Sequence, residues 1–79
     1  MATRTYPFVS QMRLQAREEG REEGRAEGLG AAILKVLDRR GVEVDDASRA
    51  RIMSCGDGDV LDVWLDRSFV VASASELFA

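Results

Sequence analysis

The chain reads as an all-α protein: a long N-terminal helix with a glycine-repeat arm, followed by a small helical module, with dimerisation expected. Three observations carry that reading. Ala, Glu, Arg and Leu dominate residues 8–40, and these favour helix. Apolar residues recur three and four apart from Leu29 onward, the spacing of one helix face. The 79 residues contain one cysteine and no histidine, so neither a disulfide nor a zinc cage is available to staple so small a fold. Association with another chain is the remaining device.

Each element has its own justification. Residues 1–7 read as an extended or disordered lead closed by Pro7, which suits the first turn of a helix. From Phe8 the pattern is helical, with Phe8, Met12 and Ala16 on one face. Gly20, Gly24 and Gly28 follow at the same four-residue spacing, and Ala32 continues the row. Next, "LGAAILKVLDRRG" places Leu29, Ala32, Ile33, Val36 and Leu37 on an apolar stripe. Arg39 and Arg40 sit where cations suit the helix dipole, and Gly41 is the expected stop. One helix over about 8–40 would be roughly 50 Å long. That exceeds what forty further residues can cover, so part of it must project or meet another chain.

"VEVDD" is a connector, with Asp45 or Asp46 as a cap for the short helix "ASRARIMSC". After Gly56, Asp57 or Asp59 caps "VLDVWLDRSFVVA", whose Val60, Leu61, Trp64, Leu65 and Phe69 form a stripe. "SASE" matches a capping box, Ser73 with Glu76, opening a last turn with Leu77 and Phe78. The predicted core of the 29–79 module is Ile33, Val36, Leu37, Ile52, Leu61, Trp64, Leu65 and Phe69.

The repeat at 16–28 is costly for a lone helix: each glycine costs about 1 kcal/mol relative to alanine. Its charges share the period. Arg13, Arg17, Arg21 and Arg25 form one row, and Glu19, Glu23 and Glu27 another. Like charges four apart repel, while the pairs Glu18–Arg21 and Glu22–Arg25 offset part of this. The arginine and glutamate rows flank the small row on opposite sides. In a parallel two-fold pair they meet as opposite charges; in an antiparallel pair like meets like. Three readings stand: a parallel dimer arm whose interface is Phe8, Met12, Ala16, Gly20, Gly24, Gly28 and Ala32 with Arg17, Arg21, Arg25, Glu19, Glu23 and Glu27, a solvated linker, or a contact with some other protein. A four-residue period drifts about 40° per repeat on a 3.6-residue helix, so a straight partner meets only two or three repeats.

Chemistry is poorly supported. Cys55 has no histidine to activate it and is expected as a small core residue. A calcium loop counted from Asp57 places Leu61 and Ser68 where oxygen ligands belong, so the aspartates read as caps and solvated positions. The glycines follow no strand, which argues against a phosphate loop. A helix-turn-helix would push Asp59, Asp62 and Asp66 against phosphates with Arg67 alone as cation. The net charge of −3 points the same way. No cofactor or metal is expected. No apolar run approaches the roughly 18 residues of a membrane span, and "MATRTYPFVSQ" lacks the apolar core of a signal peptide, so a cytoplasmic location is expected. Ten of the eleven basic residues are arginine, a bias typical of GC-rich bacterial genomes.

The order of residues from 34 onward resembles a bacterial C-terminal module of unknown function. The resemblance is carried by Arg39, Arg40 and Gly41; by Arg49, Arg51 and Ile52; by Leu61, Trp64, Leu65 and Arg67; and by Ser73, Glu76, Leu77 and Phe78. The preceding "REEGREEGRAEG" is similar to tracts found before that module, which is appended to recombination-promoting or transposase-like nucleases of the PD-(D/E)XK type. That resemblance implies an accessory role in nucleic-acid processing as an alternative to a plain interaction module. The nuclease motif itself is absent, because the only lysine, Lys35, follows Ile33 and Leu34. No enzymatic activity is therefore expected.

Overall fold

The computed structural model describes residues 7–79, with side chains from residue 20 onward. Three α-helices and a closing 3-10 turn make up the described chain, with no strand among those residues. Helix α1 spans Pro7–Arg39, α2 Asp46–Ser54 and α3 Gly58–Ser68; the 3-10 turn is Ala74–Phe78. Of the expected lead at 1–7, residues 1–6 lie outside the described residues, while Pro7 belongs to α1.

α1 is a single helix of 33 residues that runs through the glycine repeat into the apolar stripe. At 1.5 Å per residue it is roughly 50 Å long. The helices that cover it have only 9 and 11 residues. The overall dimensions, 62 × 19 × 17 Å, follow from that mismatch: one long rod carries a small pack of helices near its C-terminal end.

α1 stops at a Schellman motif. Val42 N–H donates to the Leu37 carbonyl at 2.9 Å and Gly41 N–H to that of Asp38 at 3.0 Å. Gly41 has φ of 74°, a left-handed conformation that a β-carbon would disfavour. Val42 then folds back against the core, turning the chain toward α2.

The core joins all four elements. Ile33, Leu37, Ile52, Leu61 and Leu77 are essentially inaccessible, with Ala26, Trp64, Val71 and Ala74 also buried. Leu65 and Cys55 are half-buried against it, whereas Val36, predicted for the core, is half-buried without joining the cluster. Trp64 and Phe78 meet edge to face at 4.8 Å between centroids, and the Arg51 guanidinium lies 4.3 Å from the Phe78 ring centre.

One predicted core residue is corrected. Phe69 is 59% exposed. Helix α3 ends at Ser68, and the inward line is Leu61, Trp64, Leu65 and Ser68. Measured from Leu61, Ser68 falls about 20° off the centre of that line and Phe69 about 80° off it. The serine takes the central position because its hydroxyl is satisfied locally, donating to the Leu65 carbonyl at 2.5 Å. Val60, at the opposite margin of the stripe, is also exposed.

Candidate interaction face of the long helix

The inward face of α1 fixes what its other faces offer. Ala26, Gly30, Ile33 and Leu37 are buried and lie within about 40° of one direction. Gly30 is the glycine this packing uses: a β-carbon there would stand 3.6 Å from the Ile52 carbonyl oxygen and 3.7 Å from Ile52 Cγ2. Gly20, Gly24 and Gly28 point about 110° to 170° away from that direction. Nothing lies within 4 Å of where their β-carbons would be. Ala31, also exposed, prolongs the same open face, and Ala32 is half-buried at its edge. The glycine row thus contributes nothing to the packing of its own module.

Of the charge rows, Arg21, Glu23 and Glu27 are exposed, flanking the open face, and Arg25 turns toward α3. Of the other residues predicted for the interface, Phe8, Met12, Ala16, Arg17 and Glu19 have side chains outside the described set.

Two charged residues of the repeat are instead brought to the module. Glu22 Oε1 accepts a hydrogen bond from Gly58 N–H at 3.0 Å, at the start of α3. A carboxylate suits the positive end of a helix dipole. Arg25 lies 3.3 Å from Asp59 Oδ1 and 3.7 Å from Glu22 Oε2. Neither contact across the helices was legible as such; the i,i+3 spacing of Glu22 and Arg25 signalled only their mutual pair. The remaining start of α3 is held by Asp57, whose carboxylate accepts from Asp59 N–H at 3.0 Å and Val60 N–H at 3.4 Å.

Two other arginines serve the chain's own carbonyls. Arg40 Nη1 donates to Ser68 O at 2.9 Å and Val71 O at 2.7 Å. Arg67 Nη1 donates to Leu77 O at 2.7 Å and Ala79 O at 2.8 Å. The cation on α3 is therefore turned to the closing 3-10 turn, where the Glu76 carboxylate also accepts from Ala72 and Ser73 N–H. At α2, Asp45 occupies the N-cap position with extended backbone. The Ser48 hydroxyl three residues on is the main influence holding the Asp45 carboxyl below its usual pKa, assisted by first-turn N–H groups.

No family model, curated protein or solved structure matches the chain.

Among the described residues, no three His, Cys, Asp or Glu side chains gather into a metal-holding group. Among the described residues, no buried side-chain nitrogen or oxygen lacks a partner. The grooves flank the 41–45 connector; one of about 290 Å³ is lined by Leu34, Asp38, Val42, Val44 and Arg49. Its apolar floor is only half-buried and no unsatisfied polar group converges on it. No described helix is long and apolar enough to cross a membrane.

Proposed function

We propose that the chain is a non-catalytic, cytoplasmic oligomerisation and protein-interaction module whose α1 arm pairs in parallel with that of a second copy. The observation that carries this reading is the open face at Gly20, Gly24 and Gly28, set opposite the buried face of the same helix. Three glycines cost a lone helix about 3 kcal/mol in total. No packing within the chain offsets it at those three positions, since nothing lies within 4 Å of their β-carbon sites. A second backbone approaching closely recovers it through van der Waals contact. The charges favour parallel pairing: Arg21 on one flank meets Glu23 and Glu27 on the other. Both modules then sit on the outside of the pair, clear of the contact.

Solution mass tests the proposal. The expected value is twice 8.7 kDa, falling to the single-chain value in Gly24→Leu, whose side chain holds the backbones apart. A wild-type chain that stays at 8.7 kDa across accessible concentrations overturns it. A second reading, an accessory subunit of a transposase-like nuclease system, draws on the residue order from Leu34 onward. Direct nucleic-acid contact is not part of either reading, because the net charge is −3 and Arg67 is engaged internally. A salt-dependent gel shift with the isolated chain would reverse that.

A further inference from the structure

Glu22, Arg25 and Gly58 meet where the arm leaves the module. Gly58 is buried, and its N–H, one of the groups a helix start leaves without an intrahelical partner, is taken by Glu22 Oε1. A β-carbon on Gly58 would lie 2.6 Å from Arg25 Nη1 and 2.8 Å from Glu22 Oε1. Both atoms end flexible side chains, so such a methyl group would displace the contact and leave backbone and core in place. Gly24 lies within the 22–25 turn and Gly20 just beyond it, and nothing stands within 4 Å of where a β-carbon on either would be.

We infer that Glu22, Arg25 and Gly58 form a clamp through which the folded module holds the glycine repeat helical. Helix formation is limited by fixing the first turn, and each later residue adds a hydrogen bond to a turn already fixed. Among the described side chains, Ala26 is the most N-terminal buried one of α1. The clamp fixes one further turn, 22–25, by tying it to the start of α3. The same contact satisfies α3's first N–H and places Arg25 between Glu22 and Asp59. Undocking α3 therefore releases both at once. The arm becomes a conformational readout of the module: helical while α3 is seated, frayed when it is not. This device works within one chain and does not rest on pairing.

Amide hydrogen exchange on the full chain tests it, with wild type, Gly58→Ala, Glu22→Ala and Glu22→Gln compared. Gly58→Ala and Glu22→Ala are expected to speed exchange at Gly24 and neighbouring repeat amides about fivefold, leaving Ile33–Leu37 and Leu61–Leu65 unchanged. Glu22→Gln retains an acceptor oxygen and is expected to keep most of the protection. A purely local role for Gly58 predicts the opposite, since alanine is the better helix former and would slow exchange in α3 alone. Unchanged repeat exchange in both alanine variants, or equal acceleration in arm and core, overturns the clamp. Solution mass on the same samples reports pairing separately.

Discussion

Replacing Arg40 with alanine separates two neighbouring arginines that the sequence presents alike. Arg40 ties the end of α1 to the end of α3 through two hydrogen bonds to carbonyls, at 2.9 and 2.7 Å. Ser68 O and Val71 O lie at the exit of α3, where helix carbonyls lack intrahelical partners. A charged donor to such a carbonyl contributes about 1.5–3 kcal/mol when well buried. The Arg40 side chain is itself exposed, so water replaces part of each bond on truncation. A loss of about 1–2 kcal/mol is the expected net. For a domain of this size, 1 kcal/mol moves Tm by roughly 4–8 °C, so Arg40→Ala should lower it by roughly 5–15 °C. Arg39, one position earlier and exposed, is the control; Arg39→Ala should stay within about 0.5 kcal/mol. Arg40→Lys should recover part of the loss, because an ammonium reaches a carbonyl but lacks the planar fork. Thermal melts by circular dichroism read all three. Equal shifts for Arg39→Ala and Arg40→Ala would refute the assignment of Arg40 as the tie between helix ends.

Further expectations concern the core and its edges. Leu61→Ala, at a position with no exposure, should cost about 2–5 kcal/mol in denaturant melts, enough to unfold much of so small a module. Phe69→Ser, at an exposed position, should change stability by no more than about 0.5 kcal/mol in the same melts. Gly30→Ala should be tolerated, because its added carbon meets Ile52 at ordinary contact distance, whereas Gly30→Leu should force α1 from α2 and cost about 1–3 kcal/mol. The folded-state pKa of Asp45 is depressed, so its contribution is present above the unfolded pKa and is lost as pH falls through the folded one. Ser48→Ala should return that carboxyl toward its ordinary value, read by NMR titration.

Periodicity made the helices legible, and turn chemistry made their ends legible. The apolar spacing at Ile33, Leu37, Leu61 and Trp64 could only be buried by helices, and Gly41 after two arginines could only be a stop. The phase of the stripes was less legible. In α3, Ser68 outranks Phe69 because a serine that bonds its own helix costs little to bury, and composition carries no sign of that. In α1 the regular glycines drew notice, yet the packing glycine is Gly30, outside their period. In the sequence Glu22 and Arg25 read only as an i,i+3 pair, with Arg25 in the arginine row beside the glycines. Their docking depends on where α3 begins in space, which is a tertiary fact. Three arginines have internal roles: Arg40 and Arg67 donate to carbonyls, and Arg51 covers Phe78.

Disulfide trapping along the open face tests the pairing of α1 most directly. Gly20→Cys and Gly28→Cys would each be made in a Cys55→Ser background and oxidised at dilute concentration. Parallel, in-register pairing brings each new thiol against its own copy, within the roughly 4.4–6.8 Å between Cα atoms that a disulfide spans. Both variants should then cross-link as homodimers. Antiparallel pairing allows a homodimeric link at one position at most and links Gly20→Cys to Gly28→Cys in a mixture. Failure of both to cross-link, with a solution mass of 8.7 kDa, would contradict pairing through this face.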